Sequence, residues 1–313
     1  MRQGTMEGLE KLHLLVVGGS GFIGWHVVKE GVRRGMRVDS LGLNEPLVTR
    51  RVLGASYIIA DITLTETIHQ LSKTKYDFVV NLSGYIDHTL FFSGGRRLIS
   101  THFDGLLNLL ECLDKKHLKR FVQIGSSDEY GDVVAPQRED FREQPISPYS
   151  LSKVAATHFL QMLHRTEGFP AVILRLFLTY GPNQDKKRFL PQIIKGCLEN
   201  LAFPTSSGEQ LRDFCYIDDT VRAIYSVFEC EVANGQIFNV GSGLPVSIKD
   251  VISSVCQITG KGQPQFGKVH YRPGENMALY ADVNKIQRVI GWKPEVNLDT
   301  GLAQTIEWMI HAN

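Results

Sequence analysis

The sequence predicts a doubly wound α/β fold, a parallel sheet with helices on both faces. Three observations predict it. Short apolar runs alternate with helix-spaced stretches from Leu12 to Gly168. The first run, Leu12 to Val17, is largely apolar, as a strand buried on both faces is. It ends in Gly18-Gly19-Ser20-Gly21-Phe22-Ile23-Gly24, a glycine turn that opens the next helical stretch.

In chain order, the first strand is followed by a helix from Phe22 to Gly31. Val38–Leu43 and Tyr57–Ala60 read as strands, then Leu64–Ser72 as a helix. Asp77–Leu82 is a strand before one long helix, Arg97–Lys115. Arg120–Ile124 is the next strand, followed by a loop and the helix Ser147–Gly168. After the strand Ala171–Leu176 the rhythm changes: Pro182–Arg188 and Pro204–Arg212 are polar and loop-rich. Helices are expected at Leu190–Leu201, Asp218–Glu229, Ser247–Thr259, Asn284–Ile290 and Leu302–His311. The expected layout is a nucleotide domain over 1–180, to which part of 215–245 returns, and a smaller, discontinuous C-terminal α/β lobe over 181–313.

Composition narrows the function classes. The chain has 313 residues, 43% of them hydrophobic and 21% charged, as in an ordinary globular protein. A net charge of +1 argues against bulk nucleic-acid binding and against a polybasic membrane surface. No apolar run is long enough to span a bilayer, and Met1–Leu12 lacks a signal-peptide core. Five cysteines are scattered without a Cys-x-x-Cys pair, so reduced cytoplasmic thiols and no metal are expected.

The glycine turn carries the first chemistry. Gly18 makes the tight turn, Gly21 admits a pyrophosphate and Gly24 lets helix and strand pack. Ser20, Phe22 and Ile23 share that loop, where helix N–H groups face phosphate. Trp25 reads as a packing residue. The carboxylate that holds a ribose 2′-hydroxyl is expected about 18–20 residues further on. That count lands on Gly42, and Asp39 falls three residues early, inside the strand. A missing carboxylate admits a 2′-phosphate, with Arg50 or Arg51 as counter-charge, so NADP is favoured. The alternative is NAD, its ribose held by Asn44 or Ser40. Asp61 and Ile62, after the third strand, read equally as an adenine contact and as a turn cap. Leu82, Ser83 and Gly84 end the fourth strand, where small residues let the backbone approach a cofactor.

Tyr149 and Lys153 are four apart in a helix and share a face. An ammonium favours a neighbouring phenolate, which suits Tyr149 to proton exchange with a carbonyl/alcohol pair.

Together with Gly18-x-x-Gly21-x-x-Gly24, Asp61, Leu82-Ser83-Gly84, Ser126-Ser127 before Tyr130-Gly131, Arg175 with Tyr180-Gly181-Pro182, Arg212-Asp213-Phe214, Phe238–Gly243, Arg272-Pro273-Gly274 and Gly291-Trp292-Lys293-Pro294, this pair resembles the nucleotide-sugar branch of the extended short-chain dehydrogenase/reductases. The resemblance runs nearly the whole chain. It implies a Rossmann domain, a tightly held nicotinamide cofactor and a nucleotide-diphosphate sugar as substrate. Tyr149 then resembles the catalytic acid/base, Lys153 its partner and ribose anchor, and Ser126 the hydroxyl that orients the sugar oxygen. Arg212 and Arg272 resemble the diphosphate-gripping arginines. A homodimer seam from Arg97–Lys115 and Ser147–Gly168 is also implied, although Leu106, Leu109 and Leu110 serve a core equally well.

Two positions depart from the family pattern. His102 stands where an asparagine is usual, which alters the local hydrogen-bonding network. Leu178 replaces another asparagine and removes a polar contact to substrate. Ser127 and Asp128 occupy the places of the Asp-Glu pair in many sugar 4,6-dehydratases. The string Gly125–Gly131 resembles most the 4-keto-6-deoxysugar reductases, so reduction of a C4 ketone by NAD(P)H is the expected reaction. A 4-epimerase with bound NAD and a 4,6-dehydratase are the alternatives. A non-catalytic sensor of the cofactor is disfavoured because Tyr149 and Lys153 are both kept.

Overall fold

The computed structural model describes residues 12–271 and 275–312. The glycine turn joins β1 (His13–Val17), buried throughout, to α1 (Phe22–Arg33). Next come β2 (Arg37–Gly42), β3 (Ala55–Ile59), the short α2 (Thr65–Ile68) and β4 (Phe78–Asn81). They are followed by α3 (Arg96–Ile99), α4 (Gly105–Cys112), β5 (Arg120–Ser126), α5 (Pro148–Glu167) and β6 (Ala171–Leu176). Beyond these lie β7 (Leu178–Tyr180), α6 (Phe189–Leu198), β8 (Ala202–Pro204), β9 (Leu211–Tyr216), α7 (Ile217–Ser226) and β10 (Ile237–Val240).

Seven strands form the main sheet, in the order β10-β6-β5-β4-β1-β2-β3. The pairs of β1 with β2 and β4, β2 with β3 and β4 with β5 are all parallel. Leu14 lies opposite Val38 on one side and Phe78 on the other. The order 3-2-1-4-5-6 is that of a Rossmann sheet, with β10 added beside β6. Strand side chains alternate between the faces. Leu15, Val17, Val79, Phe121 and Ile173 pack with Leu106, Leu109 and Leu160 of α4 and α5 in one core. Each such side chain contributes about 1.5–3 kcal/mol by leaving water. Leu106, Leu109 and Leu110 of α4 are therefore core residues.

The chain divides into two compact units. The first runs to Gly131 and takes in Arg142–Arg175 and Val221–Phe238. Its returning segment stacks Phe228 on Phe78 at 4.4 Å, and Tyr225 donates to the Val27 carbonyl at 2.7 Å.

The second unit comprises Asp132–Phe141, Leu176–Thr220 and the chain from Asn239. It adds β11 (Pro245–Ser247), α8 (Ile248–Thr259), β12 (Gln263–Gln265), β13 (Ala278–Leu279), α9 (Asn284–Ile290) and α10 (Leu298–His311). β9 pairs with β11, β13 and β7. Asp213 on β9 is fully buried and accepts hydrogen bonds from the N–H groups of Ser242, Gly243 and Ala281. The Asp213 and Ser242-Gly243 motifs thus fasten a turn to a strand. Asp219 similarly accepts from Glu295 and Val296, and its carbonyl accepts from Trp292, which accounts for the Gly-Trp-Lys-Pro motif.

The short strands β7, β8, β11, β12 and β13 are additions to the expected elements, and two further differences bear on the site and its neighbour. The long helix expected over Arg97–Lys115 runs without interruption from Arg96 to Cys112 but contains a π-helical turn at Ser100–Asp104. The stretch expected as loop to Arg212 becomes strand from Leu211, because partners distant in sequence complete its ladder.

Candidate active site

The glycine turn lies at the carboxyl end of β1. Gly18 has φ +81°, a conformation that disfavours side chains. A Cβ on Gly24 would lie 2.2 Å from the Gly18 carbonyl oxygen, so α1 closes on the turn only without a side chain there. Gly21 faces solvent between them. The ends of neighbouring strands converge on this turn. Gly18 donates to Leu41 at 2.7 Å, and Leu82 donates to Val17 at 2.9 Å. A Cβ on Gly42 would lie 3.2 Å from the Ser20 hydroxyl. This leaves a backbone-lined cradle of the kind a dinucleotide fills.

Asp39 lies inside β2 and is buried. It accepts from His13 Nε2 and from the Tyr76 hydroxyl, each at 2.9 Å. Burial raises its carboxyl, but those two bonds outweigh it and hold the group below its usual value. Asp39 is therefore spent within the core. Asn44 is exposed beyond the strand end. Of Arg50 and Arg51, either expected as the counter-charge for a 2′-phosphate, Arg51 is paired with Glu45 at 2.5 Å and lies over the Tyr57 ring. Asp61 Oδ1 accepts from the backbone N–H and hydroxyl of Thr63 at 2.9 and 2.7 Å, a turn cap. Ile62 beside it is buried.

α5 carries Tyr149 and Lys153. Ser147 caps it: the Ser147 hydroxyl accepts from Ser150 N at 3.1 Å, and the Ser150 hydroxyl accepts from Ser147 N at 3.0 Å. Pro148 occupies the first helical position, so Tyr149 falls in the first turn, at the positive end of the helix dipole. Lys153 Nζ lies 6.0 Å from the Tyr149 ring centre and donates to the Ile124 carbonyl of β5 at 2.9 Å. Burial, partly opposed by the Glu129 carboxylate, brings Lys153 down to about 8.

Ser126 ends β5 and caps the turn Ser127–Glu129. Its hydroxyl accepts from Asp128 N at 3.2 Å, which leaves the hydroxyl proton to donate. Glu129 is fully buried and accepts from Ser126 N at 2.9 Å, Thr157 at 2.8 Å and Arg175 Nε at 2.9 Å. Ser127 is buried beside it, whereas Asp128 is partly exposed with His88 Nε2 4.0 Å away. The rings of His88 and His102 meet Tyr149 edge-on at 6.0 and 5.1 Å. Sequence reasoning did not foresee Glu129 or His88. The Ser126-x-x-Glu129 spacing is a capping-box signature that pointed to the first; His88 had no such signal.

In the second unit, Arg212 on β9 donates to the Leu211 carbonyl at 2.8 Å and pairs with Glu275. Leu178 on β7 is half-exposed and lies opposite Phe214. Arg272 lies outside the described residues.

A Rossmann sheet with a glycine turn at the end of its first strand defines the dinucleotide-binding class of fold. The chain belongs to the NAD dependent epimerase/dehydratase family, whose pattern matches residues 14–241. It is 29% identical to dTDP-glucose 4,6-dehydratase 1 of Escherichia coli K12, over 96% of this chain and 93% of that one. A solved UDP-glucose 4-epimerase of Thermotoga maritima, with UDP-glucose, superposes with a TM-score of 0.89 at 27% identity, covering 96% of this chain and 99% of the other. The UDP-glucuronic acid 4-epimerase of Bacillus cereus, in complex with UDP-glucuronic acid and NAD, gives 0.87 at 27% identity over 96% and 100%.

Proposed function

We propose that this chain is an NAD-dependent nucleotide-sugar 4-epimerase. The observation that carries this is the state of the turn after Ser126. A dehydratase needs a further acid and base to eliminate water. Here Ser127, which is no acid, stands in one of those places and Asp128, one methylene shorter than the usual glutamate, in the other, while the nearby Glu129 is locked in a buried ion pair with Arg175. The expected ketoreductase with NADP is less well supported. The relatives are named as dehydratases and epimerases, and a solved neighbour holds NAD.

In this reading, Gly18, Ser20, Gly21, Phe22, Ile23 and Gly24 cradle the pyrophosphate. Gly42, Asn44, Asp61, Ile62, Leu82, Ser83 and Gly84 border the rest of the cofactor. Bound NAD supplies a hydride acceptor. Tyr149 takes the proton of the sugar C4 hydroxyl and later returns it, Ser126 donates to that oxygen, and Lys153 favours the phenolate. Arg212, released from Glu275, and Arg272 hold the diphosphate, with Ser127, Asp128 and Leu178 bordering the sugar. A homodimer belongs to the same reading.

The test is incubation with UDP-glucose and NAD. Epimerisation yields the C4 epimer with no net gain of NADH. Net NADH turnover, or a product lighter by one water, rejects it. The 4,6-dehydratase is the second reading, favoured by Asp128 beside His88 and by the E. coli relative. dTDP-glucose in the same assay decides for it if the product has lost water.

A further inference from the structure

The imidazole of His102 is held from one side only. Nε2 lies 2.9 Å from the Tyr85 carbonyl oxygen. A carbonyl only accepts, so Nε2 carries the hydrogen and the tautomer is fixed. Nδ1 of the neutral ring is then a bare lone pair. It has no hydrogen-bond partner, and the residue is only 4% exposed. Burial, reinforced by the Lys153 ammonium, pushes His102 down to about 3, so the ring is neutral at working pH.

Its surroundings fix where that lone pair lies. The ring meets Tyr149 at 5.1 Å and 78°. The ring also lies against Gly84, where a Cβ would come within 2.1 Å of Cε1 and 2.5 Å of Nδ1. Gly84 has φ +98° and is exposed, so this approach depends on glycine at the end of the Leu82-Ser83-Gly84 run. Lys153 does not fill the vacancy: its Nζ donates to Ile124, and Nδ1 is without a hydrogen-bond partner. A buried acceptor without a donor is unfavourable and is seldom kept without cause.

We infer that His102 Nδ1 is an acceptor-only ligand position beside Tyr149, which receives a hydroxyl from the bound cofactor or sugar. This rests on the reading that a nicotinamide dinucleotide and a nucleotide sugar bind here. An amide at residue 102 could turn and offer either polarity. The tautomer-fixed ring offers one, and so selects for a donor.

The test is ¹⁵N NMR of the nucleotide-free full chain with labelled histidine, titrated first with NAD and then with UDP-glucose. The starting spectrum should show His102 with an unprotonated, unbonded Nδ1. A shift to the hydrogen-bonded position on adding NAD identifies a ribose hydroxyl; a shift only after UDP-glucose identifies a sugar hydroxyl. By calorimetry, His102→Phe, which keeps a ring of similar size, should weaken that same ligand about tenfold. His102→Asn should restore most of the loss. If both ligands bind and Nδ1 does not move, or His102→Phe binds both as tightly as wild type, the inference fails and the epimerase reading survives. If the wild-type chain binds neither ligand, both fail.

Discussion

Lys153 is placed where its charge is costly. It is buried, with one carbonyl partner, and its affinity for protons falls from 10.5 to about 8. The folded state therefore binds this proton less tightly than the unfolded state. Its contribution to stability is complete above 10.5 and is lost as pH falls through about 8. Lys153→Met should leave the melting temperature at neutral pH unchanged or higher. Urea midpoints measured on both sides of pH 8 should rise with pH in the wild type relative to the variant. Turnover should nonetheless fall by about a hundredfold or more, as should that of Tyr149→Phe, because a positioned acid/base contributes roughly that much. A Lys153→Met variant with full turnover would dismiss the proton-transfer role.

At the scale of elements, the site is a joint between β5, α5 and β6. Glu129 gathers all three: the end of β5 through Ser126, α5 through Thr157 and β6 through Arg175. Arg175 also pairs with Glu143 and lies 4.6 Å from the Tyr130 ring centre. Removing one partner leaves an uncompensated buried charge, so Arg175→Met should cost about 3–5 kcal/mol in chemical denaturation. A loss under about 1 kcal/mol, the level of an exposed pair, would show that the pair is not the joint. The strands and α5 were legible because their signals are local: apolar runs, the glycine turn, and Ser147-Pro148 at a helix start. Asp39 was legible as a strand residue because it comes three positions before the expected carboxylate. The π turn around His102 was not, since the apolar pattern of Arg97–Lys115 passes through it without a break. β9 was not either, because its ladder partners lie far along the chain.

For the molecule as a whole, the open question at Gly42 becomes one of cofactor choice. Of Arg50 and Arg51, expected as alternative counter-charges, Arg51 is already shared with Glu45, whose carboxylate would also oppose a 2′-phosphate. NAD should therefore bind more tightly than NADP in calorimetric titration, and Glu45→Ala should narrow the gap. Equal affinities in the wild type would restore the sequence-based preference. The strand order also bears on how the protein is made. β10 closes the edge of β6, yet it is synthesised some sixty residues later, after the whole Leu176–Thr220 segment of the second unit. Until then β6, apolar but for Arg175, offers an unpaired edge, the kind of surface that recruits other nascent chains. A fragment cut after β6 would keep every residue of the glycine turn, Ser126, Tyr149 and Lys153 while lacking the strand that seals their sheet. On the ribosome, completion of the first unit must await the Leu176–Thr220 segment of the second.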